Sequence, residues 1–575
     1  MSGSNLIAKV YFLESFGSII GGVVFNLLLI FYLKTFESLN LLLVLNLCVA
    51  FILAFKVWKR LKLVLLALLS IIILNLSYNL NLDLLAKKYL FPEQNIEYYD
   101  DTPYGSLVIT EQGGQKNFYE NNILMFTTND VMANEEAVHY AMIQHPNPKR
   151  ILLISGGISG TIDEILKYNV DKIDYVELNP WIIKIGEKYT DALHNLHVNT
   201  INADGRLFVK KTKEKYDVVI INLPIPTTAQ INRYYTTEFF SEVKERLSAK
   251  GIISMSSITS ADYMSGEARQ ISSILYKTLE KSFRNVLVIP GLKNYFIASD
   301  GKLDINIAKL IEEKGIDNLY VNQYYIDDQL LTERSEYITT NLDKDARINE
   351  DFNPISYYQQ LLYWLSYFQF NYWIIPAVLL LVIIFLFKKF DTISFGMFAG
   401  GFAASSIEIM LLLSFQIFYG YVYQMLGIII TIFFCGLAGG AMFYNKIFKQ
   451  VNIHSFIKVQ LAVVFYSVFL PVVFLVLKSS QFNDVVIHAV FIVLTFIISL
   501  IIGVEFALAS KLKRGTVAYA ASEVYSFDLI GSAFGALLVT VYLIPILGIF
   551  LVGILIGALN LIAVSVSIMN SKKYL

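Results

Sequence analysis

Two cysteines stand in 575 residues, Cys48 and Cys435, and both lie in apolar stretches. That excludes a disulfide framework and a cysteine-based zinc site. Charge of one sign is also missing: 46 Lys and Arg face 47 Asp and Glu, for a formal net charge of -1, so no basic footprint for nucleic acid is expected. Histidine is scarce. His139, His145, His194 and His197 have no spacing to acids or cysteines that would hold a metal, and no Ser-His-Asp arrangement is visible. What is abundant is apolar surface. Hydrophobic residues make up 55% of the chain and mean hydropathy is +0.54, too apolar for a soluble protein of this size.

The apolar residues fall into ten segments, each approaching the ~20 residues that cross a bilayer. Three come first: Val10–Leu33, Leu39–Phe55 and Leu63–Leu82. Seven follow a long mixed-polarity region: Trp373–Phe387, Phe395–Tyr419, Tyr421–Tyr444, Phe456–Leu477, Val485–Leu508, Ala518–Leu547 and Phe550–Met569. The first reads as a membrane segment rather than a short cleavable leader. Residues 1–82 are thus read as three membrane helices and 373–575 as seven, with 83–372 inserted between them. An internal repeat supports a duplicated helix: Glu14 to Gly21 reads ESFGSIIG and Asp528 to Gly535 reads DLIGSAFG, with Asn46 and Asn560 at the same offset. Each copy pairs an acid with small residues four apart, a spacing that lets helices approach closely in lipid.

Within the insert, residues 83–149 carry short alternating runs such as Tyr104 to Ile109 and turns at Gly113-Gly114 and Asn121-Asn122, a small antiparallel β subdomain. Residues 150–300 read as a doubly wound, Rossmann-like α/β domain. Strand-like Ile151 to Ile154 ends in SGGISG, with Gly156, Gly157 and Gly160, and a helical pattern follows. Glu177 ends the second strand, Asp204-Gly205 follows the third, and Asn222 follows the fourth. Ligands of such sheets lie at the carboxyl ends of the strands, and an acid about twenty residues after the glycine turn is placed for ribose hydroxyls. Residues 301–372 form an extension that closes on a dense aromatic run, Tyr357 to Phe368, of the kind found at membrane interfaces.

These residues resemble the membrane-fused spermidine synthases, or polyamine aminopropyltransferases. The resemblance runs from about Gln94 to Tyr358. It rests on Glu135-Glu136, the glycine turn, Val176 to Pro180, Asp204-Gly205-Arg206, Asn232 to Phe239 and Ile348 to Pro354. It implies binding of decarboxylated S-adenosylmethionine or a related adenosyl thioether as substrate, with no metal, and aminopropyl transfer to an amine. By position, Gln94 touches the nucleoside, Gly156, Gly157 and Gly160 line the thioether, Glu177 takes the ribose, and Asp204-Gly205 the adenine end. Tyr234 walls the acceptor pocket, and Glu135 with Glu136 stands at its acidic gate. The departures fall on the polyamine half: the family's aspartates are replaced by Ile158, Asn222 and Ile225. An amide cannot take the proton of an attacking amine, and loss of a positioned base costs a factor of ~10²–10⁴ in rate. The acceptor half therefore reads as rebuilt and apolar, suited to a lipid or a membrane peptide. Three functions stay open: a transferase with an unusual membrane-borne acceptor, a nucleoside-binding sensor that has lost catalysis, and a transporter with an accessory soluble domain.

For transport the intramembrane acids are the relevant residues. Glu408 lies mid-segment, and Glu14 and Asp528 a turn or two inside theirs, whereas Glu505 and Glu523 lie near segment ends, where they are expected to reach water. Basic residues alternate between loops. Lys9; Lys56, Lys59, Arg60 and Lys62; Lys388 and Lys389; Lys446 and Lys449; Lys511, Lys513 and Arg514; and Lys572 and Lys573 fall on one side, which the positive-inside rule makes cytoplasmic. The expectation is a multi-pass protein of the cell membrane with both termini in the cytoplasm and the inserted domain outside, in conflict with a substrate made in the cytoplasm.

Overall fold

The computed structural model describes residues 3–57, 60–258, 264–368, 371, 374–387, 390–420, 423–479 and 483–573. Lys59, Lys388, Lys389, Tyr372 and Trp373 of the sequence reading lie outside them.

Helices α1 (Gly3–Val24), α2 (Thr35–Val57) and α3 (Arg60–Asn79) precede the soluble region. Strands β1 (Asn95–Thr102), β2 (Gly105–Gln112), β3 (Gln115–Glu120) and β4 (Ile123–Thr127) form an antiparallel meander in sequence order. Its turns use Gly113 at φ 61°, Gly114 at φ 85°, Asn121 at φ 51° and Asn122 at φ 64°, values that Gly and Asn tolerate best. Helix α4 (Val131–Met142) leads into the second sheet. That sheet contains β5 (Arg150–Ile154), β6 (Lys172–Glu177), β7 (Val198–Asn202), β8 (Tyr216–Ile221), β9 (Leu247–Ser257), β10 (Asn285–Pro290) and β11 (Asn294–Ser299), in the order β10-β11-β9-β8-β5-β6-β7. The five strands from β9 to β7 are parallel, and the β10–β11 hairpin adds antiparallel edges. β5 and β8 are apolar along their length because helices cover both faces of a parallel sheet. Helices α5 (Thr161–Leu166), α6 (Gly205–Lys211) and α7 (Ile355–Tyr367) belong to this domain and its extension.

After it come α8 (Ile374–Phe387), α9 (Thr392–Tyr419), α10 (Tyr423–Ile447), α11 (Ile453–Ser479), α12 (Asp484–Leu512), α13 (Val517–Leu538) and α14 (Ile544–Met569). Among the described residues seven helical runs are long and apolar enough to cross a membrane. α3 contributes a shorter apolar run, Val64–Asn75, and the described part of α8 is 14 residues long and strongly apolar. α13 and α14 join through a π-helical turn, Val539–Leu543, into one run from Val517 to Met569. The chain reverses inside that run at Gly548, whose φ 78° and ψ 162° are not helical.

Two further expectations change. Glu505 is completely buried among the helices instead of reaching water. In the repeated motif, Gly531 and Gly535 of α13 press on the Phe398 and Phe402 carbonyls of α9, so a Cβ would come within 2.1 and 2.5 Å of them. The matching Gly17 and Gly21 of α1 meet nothing within 4 Å.

One end of the helix bundle receives the soluble domain. Thr35, between the first two apolar helices, donates from its backbone to Asp101 (2.8 Å), and Lys34 lies over the Tyr99 ring. Lys478 at the end of α11 reaches Glu238 (2.5 Å). The backbone N–H of Ile549, freed by the Gly548 reversal, donates to the Phe352 carbonyl (2.9 Å), and Tyr357 donates to the Thr540 carbonyl (3.0 Å). Part of the aromatic run is therefore a docking contact: Tyr357 and Tyr358 pack on the last two helices, while Trp364, Tyr367 and Phe368 stay exposed.

Candidate functional site at the rim of the parallel sheet

β5 delivers the chain into a turn that only small or adaptable residues can make: Ser155 has φ 64°, Gly156 φ 73° and Gly160 φ 116°. The turn is closed from above by amides. A Cβ on Gly156 would lie 2.3 Å from Asn222 Nδ2, and one on Gly160 2.8 Å from Asn134 Nδ2. Asn134 donates to the Ser159 carbonyl (2.8 Å) and accepts from the Ser159 hydroxyl (2.7 Å) and the Thr161 hydroxyl (3.2 Å). Asn222 reaches Thr161 Oγ1 at 3.4 Å. The neighbourhood of the turn is thus built from amides and hydroxyls.

The strand ends converge on β5. Glu177 accepts from Ser155 Oγ (3.1 Å), from the Tyr175 hydroxyl (3.0 Å) and from the Leu178 N–H (2.9 Å). Burial pushes its carboxyl up, against the pull of these donors. Glu120 of β3 joins from the antiparallel sheet, accepting from Asn179 (2.7 Å), and burial takes its carboxyl up to about 7, with the Glu177 charge adding to the effect. Gly205 packs on Ile154, where a Cβ would come within 2.7 Å of the side chain. The structure therefore gathers Gly156, Gly157, Gly160, Glu177, Gly205 and Asn222 around one strand end. Gln94 is held in the antiparallel sheet by Thr110, Asn117 and Tyr119.

Asp204 is already engaged. It caps α6 through the Leu207 N–H (2.9 Å) and takes a two-pronged ion pair from Arg233, with Nη1 to Oδ1 at 3.0 Å. Tyr234 is buried beside the pair, its hydroxyl 3.2 Å from Arg233 Nη2 and 3.4 Å from Asp204 Oδ2. Gly420, which ends membrane helix α9 at φ 84°, sits against the same carboxylate, so a Cβ there would come within 2.9 Å of it. Sequence reasoning did not single out Arg233; its signal was a lone cation inside an otherwise aromatic run.

Four expected acceptor-side positions are engaged elsewhere. Glu135, expected at the gate, is fully buried and accepts from the backbone N–H groups of Leu319, Tyr320 and Val321 at 2.7, 2.7 and 2.9 Å. It fastens the C-terminal extension, and no acceptor lies open to it. Its neighbour Glu136 accepts from the Leu292 N–H (2.8 Å), and burial raises its carboxyl to about 7. Ile158 points into the core against Gly186, and Ile225 packs with Ile258, Ala268 and Ile271. The apolar replacements serve packing rather than lining a pocket. Behind the rim, the buried Arg206 joins the buried Asp351 (2.7 and 2.8 Å) to the half-buried Glu242 (2.9 and 2.9 Å), and it also donates to the Arg233 carbonyl (3.0 Å).

Residues 131–300 match the family model for the spermine/spermidine synthase domain. A polyamine aminopropyltransferase of Sulfurisphaera tokodaii is 28% identical over 281 residues, covering 45% of this chain and 90% of that protein. The namesake from Leptospira interrogans is 28% identical over 198 residues, 33% of this chain and 40% of that protein. The one from Methanocaldococcus jannaschii is 31% identical over 185 residues, 30% of this chain and 59% of that protein. Among solved structures, a spermidine synthase in complex with the transition state analogue AdoDATO is 24% identical, with a TM-score of 0.37 over 43% of this chain and 88% of that one. Spermidine synthase from Thermotoga maritima gives 23% identity and a TM-score of 0.35 over 43% and 87%. The glycine turn, Glu177, Asp204 and Asn222 all lie within the stretch that matches the spermine/spermidine synthase domain.

Proposed function

We propose that this domain binds an adenosyl thioether or sulfonium of the decarboxylated S-adenosylmethionine type and transfers its aminopropyl group to a membrane-borne amine rather than a free diamine. In that step the amine nitrogen bonds to the aminopropyl carbon, the carbon–sulfur bond breaks, and methylthioadenosine leaves with the electron pair. The proton of the new ammonium passes to solvent. The observation that carries this reading is the loss of free acceptor carboxylates: the amide of Asn222 stands over Gly156, and Glu135 is engaged by three backbone N–H groups. An amide orients an amine but neither attracts a second ammonium nor removes a proton. The bundle end beside the domain supports an acceptor held in the membrane.

A second reading, a catalytically silent sensor, is favoured by Asp204. Its carboxylate is shared between Arg233 and the end of α9, so a nucleoside amino group that displaces Arg233 would act on a membrane helix.

Titration calorimetry of the full chain with methylthioadenosine tests the common part. Binding is expected, and Glu177→Ala should weaken it by ~10-fold or more, the loss of a charge-assisted hydrogen bond. Absence of binding by the unmodified chain would overturn both readings. Incubation with labelled decarboxylated S-adenosylmethionine and vesicles containing an aminolipid separates them: label in lipid supports transfer, and binding without label supports sensing.

For placement in the cell, the reading is a multi-pass protein of the cell membrane with both termini in the cytoplasm and the domain outside. Its support is that the bundle end touching the domain bears Lys34 and Lys478, whereas the opposite end bears Lys446, Lys449, Lys511, Lys513, Arg514, Lys572 and Lys573. Leu196→Cys, at a fully exposed position, in a Cys48→Ser, Cys435→Ser background should react with an impermeant maleimide in intact cells. Reaction only after lysis would put the domain in the cytoplasm.

A further inference from the structure

The helix bundle contains acids for which the synthase domain has no use. Glu505 of α12 is completely buried, and neither of its carboxylate oxygens has a hydrogen-bond partner. Around it stand Gln460 of α11, Asp528 of α13 and the glycine face of α9. A Cβ on Gly400 would lie 2.6 Å from Glu505 Oε2, one on Gly396 2.3 Å from Gln460 Nε2, and one on Gly401 2.9 Å from Asp528 Oδ1. Three glycines of one helix thus let its backbone lie directly on three polar side chains. Gln460 Nε2 is itself buried without a partner, and so is Oδ1 of Asn560 on α14. Gln460 accepts from Ser567 (3.1 Å), which fixes the amide. Helices α9, α11, α12, α13 and α14 all contribute to this polar layer.

An ionised carboxylate buried in hydrocarbon without donors or a cation is prohibitively costly, so Glu505 is either protonated or holds a cation. No basic side chain balances it. Lys513, at the end of α12, is committed to Asp391 (2.6 Å) and Glu523 (2.8 Å). On the α1 side lies a cavity of about 290 Å³ lined by Tyr11, Glu14, Phe506, Ser522 and Tyr525. Glu14 accepts from the Tyr525 hydroxyl (2.6 Å) and lies within electrostatic reach of Asp528.

The geometry points to an intramembrane proton-binding site at Glu505 and Asp528, oriented by Gln460 and loaded through the Glu14 cavity. The step is simple: the carboxylate takes one proton from water in that cavity, by way of Glu14 and Asp528, and returns it when the site reopens. Gln460 donates to the ionised state, and no other co-reactant is required. This site is independent of nucleoside binding by the soluble domain.

Dicyclohexylcarbodiimide, which reacts with protonated carboxyls in apolar surroundings, tests it on the purified full chain by peptide mass spectrometry. At pH 7 Glu505 should be labelled about tenfold faster than Glu523, because Glu505 has no cation beside it and Glu523 is paired with Lys513 (2.8 Å). Glu505→Gln should leave methylthioadenosine binding unchanged and abolish labelling at that position, and Glu14→Gln should slow labelling of Glu505. Equal labelling of Glu505 and Glu523, or none at Glu505 at any pH from 5 to 9, would overturn the proposal. So would protection of Glu505 by sodium at constant pH, which would make the resident cation an alkali ion.

Discussion

Arg206 and Glu505 are buried equally deeply, at 1% and 0% exposure, and in opposite company. Arg206 lies at the seam between the synthase domain and the helices. It donates to two carboxylates and a carbonyl, so its charge and its donors are matched. Asp351 completes the node, accepting from Thr236 (2.9 Å), and the Arg206 guanidinium holds its carboxyl low despite burial. Among the described residues Glu505 has no cation beside it, and Gln460, the donor nearest its carboxylate, stands outside hydrogen-bonding geometry. A buried charge whose partners are all present acts as a fastener. One whose partners are missing must exchange something with its surroundings.

The largest test removes the fastener. Arg206→Ala leaves the buried Asp351 without its cation, while Glu242 keeps Lys210 (3.6 Å), and breaking a buried pair this way costs ~3–5 kcal/mol. The expected result is a large drop in the thermal midpoint of the detergent-solubilised protein. A drop equal to that of an exposed-residue control would mean that the node does not hold the seam. Glu505→Gln should in contrast leave the midpoint unchanged or higher, since it replaces a buried carboxyl that lacks partners with a neutral amide of the same shape.

A middle-sized effect distinguishes partnered acids from sealed ones within the soluble domain. Burial raises the Glu136 carboxyl from 4.5 to about 7. The folded state thus keeps a proton that the unfolded chain releases at lower pH. Stability from this group is full below pH ~4.5 and is lost as pH rises through about 7. Glu136→Gln should therefore flatten the decline in stability between pH 5 and 8 by ~1–3 kcal/mol, read as thermal midpoints at the two pH values. An unchanged slope would assign the decline to another group. His139 has the opposite sign. Burial lowers its pKa against the pull of Glu164, so its contribution weakens as pH falls through the usual histidine range, and the two effects separate by direction.

The smallest effect lies at the rim of the seam. Lys478 is 39% exposed where it meets Glu238, and an ion pair so open to water contributes ~0–1 kcal/mol. Lys478→Ala should shift the midpoint slightly, and less in high salt. A loss as large as that of Arg206→Ala would show that the seam is held at its edge rather than at its centre.

Particular residues show how far the chain can be read without coordinates. The glycine turn, Glu177 and Asn222 were legible because each ends a strand whose apolar run is visible locally. The roles of Asp204 and Glu135 were not. Asp204 reads as a free ligand until Arg233 and Gly420 come against it, and Glu135 meets its three donors 184 to 186 residues away. Ile158 and Ile225 read as an apolar pocket because family position says nothing about which way a side chain turns. Glu505 reads as a water-facing end residue because depth in a bundle depends on neighbours that its own helix does not encode.

Hydropathy, turn glycines and strand alternation act over a few residues, at a period of 2 or 3.6, so the sequence alone determined the apolar helical segments, the two sheets and the glycine turn. Whether a charge is matched depends on groups that are close only after folding. Tertiary structure alone decided that Asp204 is paired, that Glu135 is a fastener, that Phe352 and Ile549 join the domain to the helices, and that Glu505 is left without a partner.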